Sequence, residues 1–179
     1  MSCASPGTEP MNTTPSTDGS SELVARPIGV VHSEFTDSTG TPIQPRVAHG
    51  AKGTVEVFEQ YHDALRDLEG FDRIWLVCWF HRAAPPRLRV TPYMDKVQRG
   101  LFSTRAPSRP NPIGISPVRL LGIEGNTLQV ADVDILDGTP LLDIKPYSPF
   151  FDCFDVSRSG WLDETDRQRT NADDRFEAP

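Results

Sequence analysis

Residues 113–136, IGISPVRLLGIEGNTLQVADVDIL, are two β-branched and aliphatic runs separated by Glu124-Gly125-Asn126. Turn-forming residues between two such runs are the signature of a β-hairpin. The neighbouring segments share this character. VARPIGVVHSEF (24–35) is short and β-branched, and GTVEVF (53–58) alternates apolar and polar. FDRIWLVCWF (71–80) is apolar on both faces, as in a central buried strand. LRVTPY (88–93) is a weak strand after the Pro85-Pro86 break, and TPLLDIKPY (139–147) closes the series. Only EQYHDALRDLEG (59–70) has helical spacing, at Tyr61, Ala64, Leu65 and Leu68 with Gly70 as a stop, which predicts one short amphipathic helix. Strands without alternating helices do not build a parallel sheet. The expectation is an all-β, mainly antiparallel fold: a small closed or partly closed β-barrel, or a sandwich, with one short helix and long functional loops.

At 179 residues, 37% hydrophobic and 24% charged, the chain is long enough for one domain with a proper core. No apolar run approaches the roughly 18 residues of a membrane span. Residues 1–22 are rich in Ser, Thr, Pro and Gly and lack the pattern of a signal peptide, so they read as a disordered tail. The folded domain is expected over 23–151, followed by an acidic tail or short extension at 152–179. Cys3, Cys78 and Cys153 are widely spaced and odd in number, which fits a reducing, cytoplasmic setting and neither a disulfide framework nor a zinc site. The histidines lie on separate elements, and no metal site is expected. No Gly-x-Gly-x-x-Gly follows a strand, and no nucleophile elbow is present.

The net charge of −7 is unevenly distributed. The first 22 residues carry three acids and no Lys or Arg, the last 29 carry eight acids against four arginines, and the middle is neutral. Residues 82–119 hold eight basic residues, among them Arg87, Arg89, Lys96 and Arg99, against the single acid Asp95. Such a zone suits a polyanion. At its centre is GLFSTRAPSRPNPIGIS (100–116), whose Pro107, Pro110 and Pro112 preclude helix and mid-sheet alike. The prolines pre-set a loop that presents Arg105, Arg109 and Asn111. A second informative stretch is DGTPLLDIKPY (137–147). After an Asp137-Gly138 turn, Asp143, Lys145 and Tyr147 alternate along a strand and share one face, with Leu142, Ile144 and Pro146 on the other.

STRAPSRPNPIGIS, followed 20 residues later by DGTPLLDIKPY, together with RPIGVVHS and GFDRIWLVCWFHR, resembles the TsaA-like family of tRNA methyltransferases, also called TrmO, over roughly residues 24–151. The resemblance implies a homodimeric β-barrel enzyme that uses S-adenosylmethionine to methylate N6 of N6-threonylcarbamoyladenosine at position 37 of tRNA. It also implies cofactor contacts at Pro45, Arg46 and Val47, at His81 and Arg82, at Arg105 and Arg109, and at Gly138, Thr139 and Pro140. Ala106 and Ser108 depart from the pattern, where a serine and often an aromatic residue are expected. Transfer from a sulfonium depends mainly on positioning. Asp143 or Tyr147 suits the role of proton acceptor, and Arg105, Arg109 and Lys145 suit a carboxylate. The competing reading is a non-enzymatic RNA-binding barrel that uses the basic loop with Phe102 and Tyr93. A hydrolase ranks last for want of a nucleophile.

Overall fold

The computed structural model describes residues 23–165 and 168–176, so the expectation for residues 1–22 lies outside the described residues. Six strands form a closed antiparallel barrel: β1 (Gly29–Ser33), β2 (Lys52–Val57), β3 (Arg73–Trp79), β6 (Ile113–Glu124), β7 (Thr127–Ala131) and β8 (Thr139–Pro146). Their order around the barrel is β1-β2-β7-β6-β3-β8, and β8 returns to β1. A short pair, β4 (Arg89–Val90) with β5 (Arg99–Gly100), stands beside it. The hairpin of β6 and β7 turns where the sequence places it, at Gly125, which takes φ +58. That left-handed backbone is readily available to glycine.

The interior is filled by alternate residues of each strand, as a small barrel requires. Val31, Val55, Val57, Ile74, Leu76, Val118, Leu128, Val130 and Leu141 are buried there. Strand β3 is apolar on both sides but buried on one. Ile74, Leu76 and Cys78 point inward, whereas Trp79 on the outer side is 44% exposed beside Ile113. The outer apolar row belongs to the barrel's surface, not to a second core layer.

Two local expectations need correction. EQYHDALRDLEG forms no α-helix but two 3-10 turns, Glu59–Leu65 and Leu68–Gly70, broken where Asp67 takes φ 67. So short a helix is marginal without packing, and here Leu65 alone of the first turn is buried. The α-helix described instead is α1 (Pro149–Asp152), capped by the Ser148 hydroxyl. In β8, strict alternation fails. Val77 faces Asp143 but Cys78 faces Leu141, so Leu142 is an extra residue in a β-bulge. Leu141 and Ile144 therefore both pack on the core, three positions apart.

Candidate functional site

At one rim of the barrel the segments 37–44, 80–83, 104–116 and 134–139 enclose a cavity of about 560 Å³. This lies within the size range of small-molecule sites, roughly 300–1,000 Å³. Its floor depends on Gly114. A Cβ there would stand 2.0–2.5 Å from the Phe80 ring, so the missing side chain is what lets Phe80 lie across β6 and form the wall. Phe80 is anchored by its backbone N–H, which donates to the Pro112 carbonyl at 2.8 Å.

His81, Arg82, Arg105, Arg109 and Thr139, drawn from three distant stretches of sequence, meet at this cavity. Their partners differ. Arg105 Nη1 donates to Gln44 Oε1 at 2.6 Å. Arg82 Nη1 donates to the Thr36 carbonyl at 2.7 Å, with Asp37 3.9 Å away. Arg109 is turned into its own loop, donating to the carbonyls of Thr104 (2.9 Å) and Ala106 (3.4 Å) and lying 5.6 Å over the Phe102 ring. Arg109 thus holds the proline-rich loop in shape, while Arg82 and Arg105 remain at the mouth as cations.

The remaining expected residues are elsewhere. Pro45, Arg46 and Val47 form a 3-10 turn immediately after the cavity-lining Gln44. Pro45 is buried, Arg46 is exposed, and Val47 lines a second depression with His49 and Lys52. Gly138 occupies the exposed turn before β8 with φ 73, and Pro140 sits opposite Val30 on β1. Asp143 and Lys145 form a 2.8 Å ion pair on the outer surface. The Tyr147 hydroxyl lies 3.2 Å from the exposed Cys153 thiol, and its ring packs 5.7 Å from Trp75. None of these three lines the cavity.

The residue not picked out from the sequence is Asp134. It lies in the cavity among Phe80, Ile135 and Leu136, and accepts a 2.6 Å hydrogen bond from the Ser116 hydroxyl. Burial pushes its carboxyl up to about 7, against the opposing pull of Ser116 and of the Arg105 charge. Its charge, with burial as the larger cause, pushes the Cys78 thiol up to about 12, which keeps that group inert as a nucleophile. A signal was present in the sequence: an acid set between Val133 and Ile135, both of which are fully buried. Its neighbour Asp132 takes φ 64 and turns away, to bridge Arg73 (2.7 Å) and Arg119 (3.0 Å). Among the described residues no three His, Cys, Asp or Glu side chains gather as a metal set, and no helix is long and apolar enough to cross a membrane.

The basic zone is partly neutralised within the molecule. Arg99 pairs with Asp95 and Arg119 with Asp132. Arg87, Arg89 and Lys96 form no ion pair among the described residues.

The chain is similar to known proteins in sequence and in fold. Residues 30–153 match the model of the tRNA-methyltransferase O N-terminal domain. An S-adenosyl-L-methionine-binding protein of Archaeoglobus fulgidus is 42% identical over 131 residues, covering 73% of this chain and 94% of the relative. A mouse tRNA (adenine(37)-N6)-methyltransferase is 35% identical over 143 residues, 73% of this chain and 32% of the relative. The crystal structure of TrmO from Pseudomonas aeruginosa superposes with a TM-score of 0.69 at 40% identity, covering 80% of this chain and 64% of that one. The chain therefore spans less than two thirds of the length of that structure.

Proposed function

The chain belongs to the tRNA-methyltransferase O family, and from that premise we propose that it is an S-adenosylmethionine-dependent tRNA methyltransferase acting on N6 of N6-threonylcarbamoyladenosine beside the anticodon. The observation that carries this reading is the rim cavity, which joins the cationic side chains of Arg82 and Arg105 to the half-buried carboxyl group of Asp134. The residues fit the cofactor. Arg82 and Arg105 suit its carboxylate, because a guanidinium binds a carboxylate bidentately. Phe80, Ile135 and Leu136 offer apolar surface to its nucleoside, and Thr139 and His81 offer polar contacts. When bound, S-adenosylmethionine supplies an electrophilic methyl group on a sulfonium.

The chain's own contribution is positioning and proton removal. The attacked nitrogen lies beside a carbonyl and gives up its proton more readily than an amine. Asp134, with its pKa near 7, is matched to accept that proton near neutral pH. Ser116 fixes the carboxyl orientation. Arg87, Arg89 and Lys96 are assigned to tRNA phosphates, where unpaired basic side chains displace counterions.

We also propose a homodimer and a cytoplasmic setting. Trp79, Ile113 and Ile115 (50% exposed) give the outer face of β3 and β6 an uncovered apolar row, a candidate surface for a second copy. The row Asp143, Lys145, Tyr147 runs along the edge of that face, since Asp143 sits opposite Val77 and Lys145 opposite Trp75. We assign it to the dimer contact, from which it would act on a neighbouring copy's site. The described cysteines, Cys78 and Cys153, are free thiols, which supports a reducing compartment.

The test is mass spectrometry of tRNA nucleosides after incubation of the protein with threonylcarbamoylated tRNA and the cofactor. A methylated product that disappears with Asp134→Asn supports the assignment. Tight tRNA binding without cofactor binding in calorimetry returns the protein to a non-enzymatic RNA-binding role.

A further inference from the structure

Residues 168–176 lie beyond the family match, yet they run back across the cavity. Ala172 exchanges backbone hydrogen bonds with the segment at one side of the mouth: its N–H donates to the Thr41 carbonyl at 2.8 Å, and its carbonyl accepts from Gly40 N–H at 3.0 Å. Ile43 N–H donates to the Thr170 carbonyl at 2.9 Å, and Asn171 Nδ2 to the Gly40 carbonyl at 2.6 Å. Four residues on, Phe176 is buried on the other side of the mouth. It packs with Val90, Leu101 and Ala106, and meets the Tyr93 ring edge-on at 5.1 Å.

Between these two anchors is a charged clamp. The Asp173 carboxylate accepts from Arg175 Nε and Nη2, each at 2.7 Å, and from Arg169 Nη2 at 2.5 Å. Arg175 Nη1 also donates to the Pro92 carbonyl at 2.8 Å. Both guanidinium groups lie over the Tyr93 ring, at 5.7 and 5.2 Å. The hydrogen bonds from Arg175 pull the Asp173 carboxyl down to about 2, so the clamp stays ionised at any ordinary pH. The segment therefore ties the 40–43 stretch to the 90–106 stretch. Ala172 and Phe176 themselves line the cavity.

We infer that residues 168–176 are a working part of the ligand site, in which Ala172 and Phe176 contact the bound small molecule while Arg169, Asp173, Arg175 and Tyr93 act as positioning residues that hold them there. This rests on reading the cavity as the S-adenosylmethionine site. The strap is separate from the barrel's packing, because none of its residues belongs to the main core cluster. Changes in it therefore alter the cavity without dismantling the barrel. Bulk added at Ala172 occupies ligand volume, and truncation of Phe176 opens the wall to water.

The experiment is calorimetric titration of S-adenosylmethionine into the full-length protein and its variants Ala172→Phe, Phe176→Ala and Phe176→Leu, with Arg158→Ala as a control outside the cavity. Kd is expected to rise at least tenfold in Ala172→Phe and at least fivefold in Phe176→Ala, with Arg158→Ala unchanged. Near-UV circular dichroism reports whether each variant is folded, and Phe176→Leu, which keeps an apolar side chain on Ala106, replaces Phe176→Ala if the latter is not. Native spectra with unchanged Kd in Ala172→Phe and the folded Phe176 variant overturn the inference while leaving the cofactor assignment standing. Failure of the intact protein to bind S-adenosylmethionine overturns both.

Discussion

Replacing Asp134 by asparagine should shift the stability of the protein in a way that depends on pH. In the unfolded chain this carboxyl titrates near 3.8, and in the folded protein near 7. Below the lower value both states keep the proton and the residue costs nothing. Between the two, the unfolded chain releases a proton that the folded chain retains, so stability falls as pH rises, and above the upper value the penalty is complete. At about 1.4 kcal/mol per pKa unit the ceiling on this penalty is roughly 4 kcal/mol. Asparagine can still accept the Ser116 hydrogen bond but carries no charge to desolvate. The difference in melting temperature between variant and parent should therefore move by up to about 8–16 °C in the variant's favour from pH 4 to pH 8.5, at roughly 2–4 °C per kcal/mol for a chain of this size. Paired thermal melts at the two pH values measure it, and effects of other titrating groups cancel in the comparison. Methylation should meanwhile fall about 100-fold or more, as expected for loss of a proton acceptor. A melting difference that is the same at both pH values would refute the argument that burial raises the Asp134 carboxyl pKa.

Gly114→Ala forces a methyl against the Phe80 ring; it should cost about 1–3 kcal/mol in a denaturant melt and weaken cofactor binding as the wall shifts. Among the described residues the buried Ser108 hydroxyl has no hydrogen-bond partner, so Ser108→Ala should be neutral or stabilising by about 1 kcal/mol, and a marked loss of stability would reveal a partner for it. Arg105→Ala should reduce cofactor affinity with little change in melting temperature, whereas Arg109→Ala, which removes bonds to two loop carbonyls, should lower both; thermal shift with and without S-adenosylmethionine separates them. Arg87→Ala should reduce the slope of log affinity for tRNA against log salt by about one, as read by filter binding over a salt series.

The strands and their hairpin were legible because a half-buried strand alternates with a period of two, as VEV does, and because RIWLVCW is a short apolar run of strand length. What was not legible depended on contacts distant in sequence. The bulge at Leu142 follows from the pairing of β8 with β3, and it alters which of Leu141, Leu142 and Ile144 face inward. The 59–70 segment has helical spacing but too little buried surface to hold a helix, as the single buried Leu65 shows. Motif arginines could be placed at one site but not told apart: that Arg109 serves its own loop while Arg105 faces the mouth is decided by the Thr104 and Gln44 partners. Asp134 was hidden because an acid amid apolar residues also describes an ordinary turn, and its meaning comes from Ser116 on the adjacent strand β6. The 168–176 segment reads as acidic tail by composition, yet Asp173 is consumed by two arginines of the same segment.

The seam that closes the barrel joins Gly29 to Leu141. More than a hundred residues must be synthesised between the two, so β1 leaves the ribosome long before its second partner exists, and during that interval the β1–β2 ribbon presents an unpaired edge. Exposed edges of this kind invite pairing with other chains, and contacts so distant in sequence slow folding. The cavity inherits the same timing: Thr139 reaches it only when β8 docks, and Ala172 only afterwards. Ligand affinity is therefore acquired late, and S-adenosylmethionine added during refolding should act on the yield of closed molecules rather than on the rate at which the early hairpin forms.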